Sequence, residues 1–340
     1  MSTIQETTAE TQAATVDAPP KKAMGLGRTA SWVMLIILLA LPLFVRNFVI
    51  FQMTMLLIYG IAVLALNILT GGSGQFSLGQ SAFYAIGAYT AAILIEHGNV
   101  NYVLTLPAAG IICFIVGFLF GLPALRLSGI YLALATFALA VAMPQLLKLG
   151  VIEHWTGGVQ GLVVTKPDAP FGLPISQDMW LYYFTLAVSL AIYVASVNLL
   201  RSRSGRAMMA IRDNEIAAAA MGVDLSIYKT LAFGVSAGIT GVAGALGAIA
   251  VQFVAPDSYT FQLAIALFLG MVVGGVGWLP GSLAGAAFIV FVPNIAEGIS
   301  KGLSGAFFGV LLFVVIYLVP HGARQGAIYA ETLFNKLRRS

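Results

Sequence analysis

Between Trp32 and Pro320 the chain repeats, over and over, apolar runs of about the length needed to cross a membrane as a helix. Crossing a hydrocarbon core of about 30 Å takes roughly 20 mainly apolar residues in helical form. A soluble fold cannot hide so many such runs, and a chain that is 59% hydrophobic and only 9% charged cannot be solvated all round. A membrane β-barrel would show stretches of about ten residues with alternating polarity. The sequence has none, so the fold class it predicts is all-α, a polytopic integral membrane helical bundle.

The runs place spans at 30–47, 50–70, 79–96, 102–122, 128–149, 179–200, 229–253, 261–279, 281–298 and 304–320. These are about ten helices, and even parity puts both termini on one side of the membrane. Basic residues cluster on the cytoplasmic side of membrane proteins, which tests that parity. With both termini cytoplasmic, Lys21, Lys22, Arg28, Arg126, Arg201, Arg203, Arg206, Arg212, Lys229, Arg324, Lys336, Arg338 and Arg339 lie inside. Arg46, Lys148, Lys166 and Lys301 lie outside, a split of thirteen to four. The net charge of +4 is thus a topology signal and does not point to nucleic acid. The pair of spans from Trp278 to Glu297 leaves a re-entrant hairpin open as a substitute that keeps parity.

Domain organisation follows. Residues 1–28 are rich in Thr, Ala, Glu and Gln and read as a disordered cytoplasmic tail. The first apolar stretch continues past Leu41, Pro42 and Val45 with no small-residue cleavage site, so it reads as an uncleaved span. The transmembrane bundle occupies 29–322 and a C-terminal cytoplasmic tail 323–340. An external loop at 150–178 holds Gly157, Gly158, Gly161, Pro167, Pro170 and Pro174, the composition of irregular structure. A cytoplasmic loop at 201–228 differs in composition from everything around it.

Chemistry-bearing residues are few. Cys113, the one cysteine, lies in an apolar run, and His97, His154 and His321 fall at loops or span ends without metal-ligand or nucleophile spacing. No catalytic residue and no metal site is expected. Glycines within the spans, such as Gly234, Gly238, Gly241, Gly244 and Gly247, suit close helix contact. Gly71-Gly72-Ser73-Gly74 is echoed by Gly274-Gly275-Val276-Gly277, as a repeat of helix groups would require.

The cytoplasmic loop carries the strongest local signal. Ser204 to Gly222 contains no proline and is rich in Ala, Met and Arg, which predicts a short amphipathic helix capped by Ser204 and stopped by Gly222. Met208, Ile211, Glu215 and Ala218 fall near one face. Two readings stay open from composition: a helix lying in the headgroups, or a docking helix for a cytoplasmic partner.

Glu215-x-Ala217-Ala218 followed by Gly222 resembles the EAA loop of ATP-binding-cassette importer permeases, in its branched-chain amino acid (LivM-type) variant. Similar to the same family are Asn67-Ile68-Leu69-Thr70-Gly71, Gly74 to Gln80, Ala82 to Tyr89, Gly129 to Ala133, Thr156-Gly157-Gly158 and Gly274 to Gly277 leading into Pro280-Gly281. The likeness runs in order over residues 50 to 320. It departs after Gly222, where the general motif's Ile-x-Leu-Pro element is missing. The resemblance implies a bacterial inner-membrane permease subunit that is not itself an enzyme. Two cytoplasmic ATPase subunits would bind ATP and Mg, a second homologous permease would complete the pathway, and a periplasmic or lipid-anchored binding protein would deliver the solute. Gly205, Arg206, Arg212, Glu215, Ala217, Ala218 and Gly222 are the residues expected to couple to the ATPases. The chain lacks a phosphate-binding Gly-x-x-x-x-Gly-Lys-Ser/Thr loop.

For the solute route, the uncharged polar insertion offers Gln75, Ser77, Gln80 and Ser81, with Tyr84 and Tyr131 beside it. Polar groups at membrane depth survive where protein or water satisfies them, so cross-linking between helices is the competing role for each. An ion-coupled secondary transporter is the main rival class. Such carriers hold an acidic residue in the membrane, whereas Glu96, Glu153, Asp257 and Glu297 sit at span ends or in loops. Substrates open to the family type include leucine-like amino acids, urea, short amides and aromatic acids.

Overall fold

A computed structural model describes residues 38–43, 45–125, 127, 129–168 and 175–299. It divides into two units. In the first, residues 1–44, the described segment is helical from 38 to 40 and continues as a 3-10 turn, Leu41–Leu43. The second, residues 45–340, holds the helical bundle.

Its elements in chain order are α1 (Asn47–Asn67), prolonged by a π-helical turn at Ile68–Gly72, α2 (Gln80–Glu96), α3 (Tyr102–Ala124) and α4 (Ile130–Leu147). There follow the single turn α5 (Glu153–Thr156), strand β1 (Leu162–Val163), α6 (Gln177–Arg201), α7 (Arg203–Asp213) and α8 (Glu215–Ala220). The last are α9 (Leu225–Val251), strand β2 (Phe253–Val254), a 3-10 turn at Pro256–Tyr259, α10 (Phe261–Gly274) and α11 (Gly281–Ile299).

Six of these stretches are long and apolar enough to span a bilayer: Asn47–Gly72, Tyr102–Ala124, Ile130–Leu147, Gln177–Arg201, Leu225–Val251 and Pro256–Gly274. With 17 residues α2 falls just short of that length. The chain is therefore a polytopic helical membrane protein. Eight of the ten expected spans coincide with described helices, usually to within two to four residues at each end. Half of the first expected span and all of the last, 304–320, lie outside the described residues. The span expected at 261–279 is shorter than anticipated: α10 stops at Gly274, and 275–280 form a turn leading into α11.

Helix starts follow from local chemistry. A helix leaves its first N–H groups unpaired, and Asn, Ser or Asp at the cap accepts from them. Asn101 accepts from Val103 N, Ser176 from Met179 N, and Asp224 from Ser226 and Ile227 N. Those three caps open α3, α6 and α9.

The core forms around α9, which lies against α1, α2 and α3. In lipid there is little hydrophobic gain from helix association, so close backbone approach and interhelical hydrogen bonds decide it. The glycine stripe of α9 supplies the approach: a Cβ on Gly244 would collide with the carbonyl of Tyr84, and one on Gly87 with that of Gly241. Cys113 is buried against the same seam, its thiol donating to Phe83 O at 3.4 Å. Along α3 the apolar Leu104, Ile111, Ile115, Leu119 and Leu122 are exposed, as a face turned to lipid requires.

The loops gather at two ends. One end holds the α1–α2 break, the 201–224 loop and the 275–280 turn, joined by Arg212 to Gly71 and Asn67 to Gly277 hydrogen bonds. The other holds 97–101, 148–168 and 252–260. There β1 pairs antiparallel with β2, Leu162 opposite Val254 and Val163 opposite Phe253. Lys148 pairs with Asp257 at 2.6 Å and Lys166 with Asp178. In its described residues the 150–178 loop is thus less irregular than its composition suggests, because its backbone finds a partner strand after α9.

Candidate coupling and pathway site

The α1–α2 connection is a helix break sunk into protein. α1 ends in a π-turn containing two glycines, Gly74 takes φ +73°, and the chain runs without regular structure from Gly74 to Gly79. Ser73, Gln75, Ser77, Gln80 and Ser81 are all buried. Non-helical backbone at this depth needs partners, and they are present. Thr70 Oγ1 donates to Gln75 O at 3.1 Å, Ser73 Oγ to Leu69 O at 2.7 Å, and Gly79 N to Ser77 Oγ at 3.2 Å. Leu78 N donates to Thr136 Oγ1 of α4 at 2.9 Å.

Two amides extend the network between helices. Gln80 Nε2 donates to Ser236 Oγ at 2.9 Å, and its Oε1 accepts from Thr240 Oγ1 at 2.7 Å. Ser236 Oγ passes on to Ala65 O at 2.8 Å, so α1, α2 and α9 are stitched together. Gln75 Nε2 donates to Ser73 Oγ at 3.0 Å and to Lys229 O at 3.2 Å. Asn67 binds the second glycine turn: Gly277 N donates to its Oδ1 at 2.7 Å, and its Nδ2 donates to Gly275 O and Trp278 O at 3.3 and 3.2 Å. The two segments with echoing sequence therefore touch, and a Cβ at Gly71 would lie 2.5 Å from Gly277 N.

Of the polar residues expected along a solute route, Gln75, Ser77 and Gln80 have these protein partners. Ser81 Oγ is buried with no hydrogen-bond partner. Tyr84 is buried in a ring cluster with Tyr59 and Tyr259, centroids 6.3 and 5.9 Å away, and Tyr89 meets Tyr259 at 6.2 Å. Tyr131 stands apart at the start of α4, 70% exposed. Gln75, Ser77 and Gln80 thus belong to the helix break and its seam with α9, Tyr84 lies further along that seam in the tyrosine cluster, and Tyr131 is outside both.

The 201–228 loop departs from the single expected helix. It is two helices, α7 and α8, separated at Asn214, whose extended backbone lets its side chain cap α8 by accepting from Ala217 N at 3.0 Å. Helix propensity alone does not reveal that break. The cap of α7 is Ser202, accepting from Gly205 N, and Ser204 lies inside the helix. Gly205 permits the tight α6–α7 turn, since a Cβ there would meet the backbone of Leu199 and Leu200. Gly222 ends α8 as expected, at φ +83°. Val223 N donates to Ala218 O and Gly222 N to Ala219 O, the paired bonds of a Schellman stop.

The expected face is real in part. Met208, Ile211 and Ala218 are buried and anchor the loop, whereas Glu215 is half exposed and pairs with Lys229 at 2.7 Å. Arg206 is exposed, its Nη1 donating to Arg201 O at 2.8 Å. Arg212 bonds Asp213 through Nε and Nη2 at 2.9 and 2.8 Å and reaches Gly71 O through Nη1 at 2.7 Å. On the outer side Ala217 is exposed, and Ile216 and Met221 stand 84% and 86% exposed. Sequence reasoning missed these two, as well as Asn67, Thr136, Ser236, Thr240 and Lys229. The available signals were a lone amide in an apolar span and apolar residues in a polar loop. Among the described residues no cluster of His, Cys, Asp or Glu could hold a metal ion.

A polytopic helical bundle with a buried helix break and an anchored two-helix loop at one end defines the class as an integral membrane protein. The family described as "Branched-chain amino acid transport system / permease component" matches residues 48–319, and this chain belongs to it. The chain is 35% identical to the high-affinity branched-chain amino acid transport system permease protein LivM of Salmonella typhimurium (strain LT2), over 72% of this chain and 62% of that protein. It is equally similar, 35% over the same shares, to LivM of Escherichia coli (strain K12). The autoinducer 2 import system permease protein LsrC of Salmonella paratyphi B is 28% identical over 68% of this chain and 67% of its own length. The chain spans about three fifths, 62%, of the length of the LivM relatives it matches. No solved structure matches.

Proposed function

We propose that this chain is one transmembrane half of an ATP-binding-cassette importer for branched-chain amino acids in a bacterial inner membrane. It would work with a second homologous permease, two cytoplasmic ATPase subunits and a solute-binding protein outside, with ATP and Mg held by the ATPases. The observation that carries this reading is the construction of the α7–α8 loop. Met208, Ile211 and Ala218 fasten it to the bundle while Ile216 and Met221 project, 84% and 86% exposed. Large apolar side chains held out on a loop that also exposes Arg206, Asp213 and Asp224 suit a groove of a soluble protein better than headgroups. A helix lying in the interface would turn one continuous apolar face to the membrane, and here the apolar side chains divide between an anchored face and a projecting one.

Charge supports placing this end in the cytoplasm. Among the described residues it carries Arg201, Arg203, Arg206, Arg212 and Lys229, against Arg46, Lys148 and Lys166 at the other. Leucine-like amino acids are the assigned cargo on the family's description, and the likeness to LsrC makes another small polar solute the rival. Ion-coupled transport would require a carboxylate within the membrane. Glu297, the candidate for it, lies in α11, and its side chain is outside the described residues.

The test is co-expression with the neighbouring ATPase genes and purification on a tag carried by this chain. Wild type should retain the ATPases, and Ile216→Ser with Met221→Ser should lose them with an unchanged thermal midpoint. Retention of the ATPases by that double variant would sink the docking assignment. Leucine uptake driven by an ion gradient in vesicles lacking any ATPase would sink the importer class.

A further inference from the structure

Both helices of the docking loop are tied to the α1–α2 break by separate bonds. From α7, Arg212 Nη1 donates to Gly71 O at 2.7 Å, inside the π-turn. The stem of Arg212 also lies on the break, since a Cβ at Gly74 would fall 3.0 Å from its Cγ. From α8, Glu215 pairs with Lys229 at 2.7 Å, and the Lys229 carbonyl accepts from Gln75 Nε2. The break continues the connection in two directions: Leu78 N to Thr136 on α4, and Asn67, one turn before Gly71, to the 275–278 turn between α10 and α11.

We propose that Arg212 is the latch that positions the π-turn. Through it, displacement of α7–α8 by a cytoplasmic partner reaches the break, and from there α4 and the α10–α11 turn. The proposal rests on reading α7–α8 as docking helices. A π-turn closes i to i+5 and holds one residue more than an α-turn. Its conversion to α moves whatever follows by about 1.5 Å and turns it by about 100°. That is a step large enough to re-aim the buried segment from Gly74 to Gly79. Two of the five residues in this turn are glycines, which lowers the resistance to such a change. An arginine suits the task because its planar fork serves two partners at once: Asp213 aims one edge of the guanidinium and Gly71 takes a donor from the other. Arg212 is thus a positioning residue, acting through the backbone of α1.

The test uses proteoliposomes holding this chain, its second permease and its ATPases, with the binding protein outside and radiolabelled L-leucine as probe. Arg212→Ala and Arg212→Gln should keep co-purifying ATPases and should keep hydrolysing ATP. Leucine moved per ATP should fall about tenfold or more, and Arg212→Lys, whose single ammonium keeps the charge but not the two-edged fork, should recover part of the ratio. Hydrogen exchange adds a readout that a merely structural role would not move. Adding ATP with vanadate should change exchange in both 66–80 and 203–222 of the wild type, and in Arg212→Ala the change at 66–80 should shrink severalfold, with only the Glu215–Lys229 route left, while that at 203–222 persists. A wild-type leucine-to-ATP ratio together with a wild-type response at 66–80 in Arg212→Ala overturns the latch. Should Arg212→Ala fail to fold, Asp213→Ala decides, because Asp213 is exposed and its removal only frees the fork. It should lower the ratio about threefold, and no change in ratio or exchange overturns the proposal. If the wild-type chain never holds ATPases, the docking reading itself has failed and the latch falls with it, an outcome distinct from a coupled complex indifferent to Arg212.

Discussion

Gln80→Leu separates the two roles open to the buried amides. In the structure Gln80 makes two interhelical hydrogen bonds, to Ser236 at 2.9 Å and from Thr240 at 2.7 Å. Interhelical side-chain bonds in membrane proteins average about 0.6 kcal/mol and reach about 1.7 kcal/mol. Losing both therefore costs about 1–3 kcal/mol. The lower half of that range is expected, because neither partner is orphaned. Ser236 Oγ keeps its bond to Ala65 O, and Thr240 can turn to the carbonyl four residues earlier, as Thr90, Ser189 and Ser196 already do. Leucine has nearly the same volume, so little cavity is left. Unfolding in mixed micelles by SDS titration should show a loss of about 1–2 kcal/mol, about five- to thirtyfold in the folded-to-unfolded ratio. A cycle with Thr240→Val should return a coupling of about 0.5–1.5 kcal/mol, with leucine uptake per folded complex staying within about twofold. Unchanged stability with abolished uptake would refute this reasoning and make the amide a contact for the passing solute.

Other outcomes follow from the same geometry. Asn67→Leu strands Gly277 N–H, while Gly275 O and Trp278 O keep the bonds they accept from Trp278 N and Gly281 N, so it should cost about 1–3 kcal/mol and lower the thermal midpoint more than Gln80→Leu. Gly222→Ala meets no atom within 4 Å, so its cost is the φ of +83° alone, about 1 kcal/mol, read as a small drop in thermal midpoint with the ATPases still co-purifying. Gly244→Leu should prevent stable folding, seen as aggregation in size-exclusion chromatography, because its side chain would displace the α2 backbone at Tyr84. Lys148→Ala removes an ion pair whose aspartate is 69% exposed, and the change should stay under about 1 kcal/mol and vanish in 1 M salt, where the Debye length is about 3 Å.

The spans were legible because each is a local property: an apolar run of sufficient length must become a helix once it enters lipid, whatever surrounds it. The stop at Gly222 was legible for a similar reason, since glycine tolerates the left-handed turn that ends α8. The division of the 201–228 loop at Asn214 was not. Its flanks favour helix, and the break is selected by Asn214 capping α8 while Met208 and Ala218 are both held against the bundle. Ser202 takes the cap in place of Ser204 because Gly205 lets α7 turn back tightly on the end of α6.

By itself, then, the sequence determined that the chain is a helical membrane bundle, where most of its helices lie, and which loop differs from the rest. Each of those rests on composition and period within about 20 consecutive residues. Only the tertiary structure decided which polar side chains meet. Gln80 and Thr240 are separated by 160 residues, Asn67 and Gly277 by 210, and Arg212 and Gly71 by 141. An amide within an apolar run declares that it needs a partner without saying which one. The choice depends on how closely the helices approach, as where the glycines of α9 bring α2 and α3 against it, and that distance is written in no single segment.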